Sequence, residues 1–405
     1  MTFEDLFNSS EMSLPKEGFD DKRETFDQFL ESTFSRYRDL LKQVDDPVHV
    51  DLMQRLASVR SEVDALASSI IDSARSFLVG HVNEAYECLA RQLDGMEWAL
   101  FRTTLSDRFT CDLRDPFAQY WLAMRRPSLY RIRVFRNDYE MPRREDIFHV
   151  PYEKRRLVNN QRYSIDGLPC LYFGSSVWIC WEELGRPPID TVWISRFKFA
   201  EDVTVLDFQF PPHHFWRVYK SLLDAKTHIP QPYVGMTDLQ NQFSPEFAVK
   251  YLICWPLIAA CAIRRKNRLG AFVPEYIVPQ LVLQWVSQRR KVDGIRYFSV
   301  RMPSKGMHVL AHSNCVFPVQ TFSHSGYCPT LKRQFSLTDP ISMDVLRALK
   351  LNRPAVLDRG VPNAWAQVRL NEDLDIAYSQ TDFFDVESQL EYLVNESPDR
   401  CRSLP

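Results

Sequence analysis

Glycine is scarce in this sequence, with 12 among 405 residues, no two spaced as Gly-x-Gly and none opening a Gly-x-x-x-x-Gly-Lys. Neither a Rossmann phosphate turn nor a P-loop can be built without them, so a nucleotide ligand would need another cradle. His-Glu-x-x-His and Gly-x-Ser-x-Gly are also missing, which sets aside zinc proteases of that type and α/β hydrolases. The longest apolar run, Tyr251 to Ile263, contains Pro256 and falls well short of the roughly twenty residues that cross a bilayer. It predicts a buried helix. Charge of one sign is not in excess either, since 50 Lys+Arg face 52 Asp+Glu for a net charge of -2. Any electrostatic specificity is therefore local.

The cysteines lack a pattern. The 9 are scattered from Cys88 to Cys401 with no Cys-x-x-Cys pair, and Cys170, Cys180, Cys254 and Cys261 sit in apolar surroundings. Reduced thiols in a cytoplasm fit this better than a disulfide framework or a zinc site, and no metal is expected. Acids occupy the N-terminus where a secretory signal would carry a basic cluster and an apolar stretch, so export is not expected. The pair Asp373 and Asp375 has metal-binding spacing, but in a polar loop such acids are ordinarily solvated.

What is present divides by texture. A chain of 405 residues with 45% hydrophobic composition predicts two or three domains. Phe26, Phe29, Leu30, Phe34, Tyr37 and Leu41 recur at helical spacing up to Pro47. Leu52, Leu56, Val59, Val63, Leu66 and Ile70 then form a heptad-like seam, and Ala85, Cys88, Leu89, Leu93, Met96 and Leu100 form a third stripe. The seam predicts a helix packed inside its own domain, with self-association or docking of a regulator as the alternative. Arg75 and His81, near its end, resemble the Arg-x(4 to 6)-His pair of HEPN-type ribonucleases, a spacing that chance also supplies in a chain this rich in Arg.

From Leu129 the pattern changes to short β-like runs: Leu129 to Phe135, Leu171 to Phe173, Thr191 to Ile194, Val203 to Phe208 and Ile295 to Val300. Residues 125 to 162 hold eleven Lys/Arg against five acids, which reads as a solvated face, a phosphate-ligand site or a nucleic-acid surface. Beyond Ser336 come a predicted helix, Ile341 to Leu351, and an acid-rich aromatic tail, Asp382 to Leu393, which reads as a surface extension or lid.

The stretch from Asn160 to Leu184 carries the chemistry. It is a polar turn (Asp166-Gly167-Leu168-Pro169), a short strand ending at Tyr172, and Gly174-Ser175-Ser176 opening an apolar helix that Ser175 or Ser176 caps. Glu182 and Glu183 fall late in that helix beside Trp178, Ile179 and Trp181, so at least one carboxylate should lie against apolar surface and need a partner or a task. Adjacent helical residues differ by about 100°, so only one of the two glutamates should matter.

This segment resembles the RES family of bacterial NAD-consuming toxins, in Arg162, in Tyr172 ten residues on, in Glu183 twenty-one on, and in Ser299 within Ile295-Arg296-Tyr297-Phe298-Ser299. Leu129-Tyr130-Arg131 is similar to the family's opening strand. The resemblance covers roughly residues 120 to 330. It implies an α+β fold with an ADP-ribosyltransferase-like mixed β core at 116–335; the helical stripes before it predict a helical domain at 1–115, and the texture after it a C-terminal extension at 336–405. It implies cleavage of the nicotinamide glycosidic bond of NAD, as substrate, by a glycohydrolase or phosphorylase of the toxin-antitoxin or phage-defence kind. Glu183 would act near the ribose. Arg162 and Arg131 would grip the pyrophosphate, Tyr163 would assist in binding, Tyr172 would wall off the nicotinamide and Ser299 would bond ribose or phosphate. A protein ADP-ribosyltransferase, or a nucleic-acid-binding or RNA-cleaving protein using the basic 125–162 segment, is the alternative. Implied partners are NAD and an antitoxin or regulatory protein, with self-association through the N-terminal helices, no membrane, and nucleic acid only under the alternative.

Overall fold

The computed structural model describes residues 1–17, 19–108, 124–135, 141–226, 245–266, 272–301, 312–348, 367–371, 374–396 and 401–404. The chain forms two units and passes between them repeatedly. Unit 1 comprises Met1–Phe101, Gln161–Tyr163 and Phe210–Trp285, and unit 2 comprises Arg102–Asn160, Ser164–Gln209 and Val286–Pro405. The sequence suggested consecutive domains, yet Phe210–Trp285 folds with the N-terminal helices.

The helices are α1 (Phe3–Asn8), α2 (Phe26–Gln43), α3 (Val50–Leu78), α4 (Val82–Gly95), α5 (Arg144–Ile147), α6 (Val177–Glu183), α7 (Pro212–Lys226), α8 (Pro245–Cys261), α9 (Ile277–Arg289), α10 (Pro329–Gln334), α11 (Met343–Ala348) and α12 (Asp382–Glu396). In unit 1 every residue of the α3 seam is buried, and α3 packs against α2, α4 and α8 of the same chain. The seam is thus spent internally, which removes the basis for self-association through it. Helix α8 is apolar on all sides and buried from Tyr251 to Cys261, as a helix surrounded by protein must be.

Pro256 lies inside α8 and has no N–H to give the carbonyl four residues back, that of Leu252. The Tyr37 hydroxyl donates to that carbonyl at 2.7 Å, and its ring lies 4.2 Å from the Trp255 ring. A side chain from α2 thereby replaces the missing rung. Arg75 and His81 are exposed. Arg75 pairs with Asp27 and Asp72, and His81 with Glu84, which is the behaviour of surface residues.

Unit 2 is built on a mixed sheet of nine strands among the described residues. The strands are β1 (Arg102–Leu105), β2 (Leu129–Val134), β3 (Cys170–Gly174), β4 (Val192–Phe199), β5 (Val203–Phe208), β6 (Gly294–Phe298), β7 (Ser313–Pro318), β8 (Phe335–Leu337) and β9 (Ile341–Ser342). The order is β1-β5-β6-β7-β3-β2-β4-β8, with β9 also on β4; β5 and β6 are parallel and the other pairs antiparallel. Leu171, Phe173, Phe197, Phe317 and Phe335 pack one face into a core. The expected α+β class is therefore met by a mixed helical and sheet architecture.

The predicted helix from Ile341 is instead β9 followed by α11, and its last residues, 349–351, lie outside the described residues. A two-stranded hairpin, β10 (Gln367–Asn371) and β11 (Leu374–Ala377), stands apart. Asp373 lies outside the described residues. Arg402 exchanges both backbone hydrogen bonds with Leu337 at 3.0 and 3.1 Å, so the chain end pairs with β8.

Candidate functional site

Helix α6 follows β3 with only Ser175 and Ser176 between them. Ser176 is the N-cap, its hydroxyl accepting from Ile179 N at 3.1 Å, one of the free first-turn donors that a cap satisfies. A Cβ on Gly174 would stand 2.6 Å from both Cys180 Sγ and Ile179 Cγ2. Glycine is required there so that the helix can fold down against the strand. Ser175 exchanges bonds with β7: its amide donates to Ser313 O at 2.8 Å and its hydroxyl accepts from Ser313 N at 3.0 Å. The helix start is thus fixed to β7, and Glu183 at its far end returns to the same strand.

Ser299 Oγ donates to Glu183 Oε1 at 2.6 Å and Asn314 Nδ2 donates to the same oxygen at 3.0 Å. Arg301 Nε lies 3.2 Å from Glu183 Oε2, and Arg301 N donates to Ser299 Oγ at 3.2 Å. Ser299 and Asn314 are almost completely buried, whereas the side chains of Glu183 and Arg301 are 35% and 45% exposed. Every described hydrogen-bonding neighbour of the carboxylate is therefore a donor, and its two buried donors fix its direction while one edge stays open to solvent. Such charge-assisted bonds are the strong kind. Glu182 points elsewhere and pairs with Arg186 at 2.6 Å, as the 100° helical step requires.

The other residues singled out in the sequence lie as follows. Arg131 is in unit 2, where its guanidinium donates to Ile147 O and Tyr172 O, both at 2.7 Å. Burial, with Arg133 adding repulsion, pushes it down to about 9. Tyr172 is half-buried on β3 opposite Val316. Arg162 and Tyr163 belong to unit 1. Arg162 donates to the carbonyls of Cys261 at 3.0 Å and Ile263 at 2.7 Å and lies over the Tyr276 ring at 5.2 Å, closing the C-terminal end of α8. Tyr163 is buried, and its hydroxyl bonds the Cys261 thiol. The structure thus joins Glu183 to Ser299 and gives Arg131 and Arg162 backbone carbonyls as partners. Asn314 and Arg301 belong to the cluster although no sequence motif singles them out; the β6–β7 register, which sets Tyr297 opposite Asn314, delivers the asparagine.

The acid-rich tail is not a surface extension or lid. Helix α12 carries Glu387 and Glu391 into the interior of unit 2. Glu387 accepts from Val177 N, the first residue of α6, at 2.5 Å and from the Tyr378 hydroxyl at 2.6 Å. Glu391 accepts from Ser128 at 2.9 Å, Tyr130 at 3.0 Å and Arg196 at 2.5 Å. Burial pushes the Glu391 carboxyl up, but the Arg196 charge and these hydrogen bonds outweigh it and leave it below the usual carboxylate range. The acids are interior because their partners wait on β2, β4 and α6.

Among the described residues no cluster of His, Cys, Asp and Glu could hold a metal ion, and no helix is long and apolar enough to cross a membrane.

Comparison with known proteins finds similarity over most of the chain to a curated bacterial protein. That protein, named "Putative toxin YopC" in Bacillus subtilis (strain 168), is 28% identical over 361 residues, 85% of this chain and 71% of its own length. No protein-family model and no solved structure matches the chain.

Proposed function

We propose that the chain is an NAD-consuming enzyme of the toxin or defence-effector kind, with Glu183 at its reacting centre. The observation that carries this reading is the half-exposed Glu183 carboxylate, aimed by buried Ser299 and Asn314 and flanked by Arg301. The toxin-like relative and the RES-like order of Tyr172, Glu183 and Ser299 support it. In the proposed step the bond from ribose C1′ to the nicotinamide nitrogen breaks. Its electron pair leaves with nicotinamide, which becomes neutral, and the oxocarbenium-like ribose is captured by an oxygen of water, which gives up a proton to solvent, or by an oxygen of the phosphate anion. Glu183 stabilises the charge that develops on the ribose or orients its hydroxyls. Ser299 and Asn314 hold Glu183 in place, and Arg301 offers a guanidinium to the anionic part of the substrate. An ADP-ribosyltransferase-like core, a cytoplasmic setting and restraint by an antitoxin belong to the same proposal, and a protein side chain as acceptor is its variant.

The test is nicotinamide release from NAD by the purified full chain, with and without phosphate. Glu183→Gln should lower the rate at least about a hundredfold, a loss of roughly 2.7 kcal/mol of transition-state stabilisation, while Glu182→Gln keeps it. Release that survives Glu183→Gln, or no release by the folded wild type supplied with cell lysate, would overturn the reading.

A further inference from the structure

Most cations of the basic 125–162 segment are already committed. Arg125 donates to Thr104 O, Arg133 to Phe148 O, and Arg126, Arg143 and Arg144 pair with Asp107, Asp146 and Asp339. Arg131 and Arg162 serve backbone carbonyls, and Arg136 lies outside the described residues. Three remain. Lys154, Arg155 and Arg156 are consecutive and exposed on the single turn Tyr152–Leu157, and none pairs with a carboxylate among the described residues.

A distant part of unit 2 meets that turn. Tyr152 N donates to Gly326 O at 3.0 Å, the Tyr152 hydroxyl donates to Thr321 O, and Glu153 accepts from Gly326 N at 2.8 Å. Arg290 joins from a third segment, donating to Gln320 O at 2.8 Å. These bonds hold Phe322 beneath the Arg155 guanidinium, 5.4 Å from ring centroid to charge, with His324 at its edge; Phe322 is 70% exposed. Of the described acids on these segments, Glu153 accepts from Gly326 N and lies beside Lys154 in the chain, and Asp293 accepts from Thr204, Gln320 and Gln334, so the turn keeps a net positive charge. The result is an exposed aromatic ring under the Arg155 guanidinium, on a surface where Lys154, Arg155, Arg156 and Arg290 make no ion pair with a carboxylate among the described residues.

We propose that this surface, formed by Lys154, Arg155, Arg156, Arg290 and Phe322, binds single-stranded nucleic acid. The cations suit a run of phosphates, and an aromatic face with an adjacent guanidinium suits a stacked base. An acidic protein partner fits less well. Stable protein interfaces need an apolar core, and the large exposed apolar side chains on these segments are Phe322 and Leu157. The proposal is independent of the NAD reading and of Glu183.

The test is fluorescence anisotropy of a labelled oligouridylate of about 16 nucleotides with the full chain, across a salt series. Binding should weaken with salt with a log–log slope of about -2 to -3, as three or four phosphate contacts on a single strand require. Phe322→Ala should weaken it about tenfold, and Arg155→Gln with Arg156→Gln should weaken it and make the slope shallower by about 1.4. Arg23→Gln, an exposed cation elsewhere, should change nothing. All these positions are on the surface, so the variants should fold. Absence of binding would overturn the proposal, as would binding that both sets of variants leave unchanged. So would equal competition by polyglutamate with no effect of Phe322→Ala, an outcome that would assign the surface to an acidic polypeptide.

Discussion

Removing one oxygen atom from Tyr37 tests how α8 tolerates its proline. In Tyr37→Phe the ring still packs on Trp255, but the Leu252 carbonyl, which Pro256 cannot serve, loses its donor. Tyr37, Leu252 and Trp255 are all almost fully buried, so water cannot replace the hydroxyl without rearrangement. An acceptor stranded in this way costs about 1–3 kcal/mol. A unit of this size moves its melting temperature by about 2–4 °C per kcal/mol, so the transition that reports on unit 1 should fall by about 2–12 °C. Pro256→Ala supplies an N–H in the helix and should absorb the loss. In that background Tyr37→Phe should cost less than half as much, a coupling readable in a double-mutant cycle. Equal costs in the two backgrounds would refute the account, because the hydroxyl would then be unrelated to the missing rung.

Two further predictions concern unit 2. Glu391→Gln leaves the Arg196 guanidinium buried without its counter-charge and should destabilise by about 3–5 kcal/mol. Because the folded-state carboxyl of Glu391 is held below its usual range, its contribution is present above the unfolded value of about 4.3 and is lost as pH falls through the folded value. Acid titration of stability should therefore be shallower in the variant; an unchanged curve would sink the assignment. Gly174→Ala drives a methyl group into Cys180 and Ile179 and should cost about 1–3 kcal/mol. It should also lift α6 away from β3, so native-state hydrogen exchange at Ile179 should accelerate. A neutral melting temperature would count against that packing.

Much of the fold was legible where a local period decides the outcome. The α3 seam is buried as its spacing predicts, the run at Tyr251 is a buried helix, and Ser176 caps α6 two residues beyond Gly174. Glu183 and Ser299, 116 residues apart, hydrogen-bond to one another. What stayed hidden depends on register or on remote partners. Asn314 reaches Glu183 only because β6 and β7 pair in one register, which no periodicity encodes. The tail acids read as solvated because composition treats a carboxylate as a surface group, whereas Arg196 and the start of α6 lie 195 and 210 residues away from their acids. Arg155 gave no sign of its partner either, since Phe322 enters from another segment.

The division of unit 1 between Met1–Phe101 and Phe210–Trp285 bears on how the molecule is made. A ribosome releases the α3 seam long before it releases α8, with about 170 residues between Leu78 and Pro245. At roughly 5–20 residues per second the delay is about 8–35 s. For that interval the apolar stripe that α8 will cover is bare, while α2 and α4 are already at hand. The nascent first third of the chain is therefore the stage at which a chaperone or a premature self-contact has its opportunity. A version truncated at about residue 115 would remain in that state permanently.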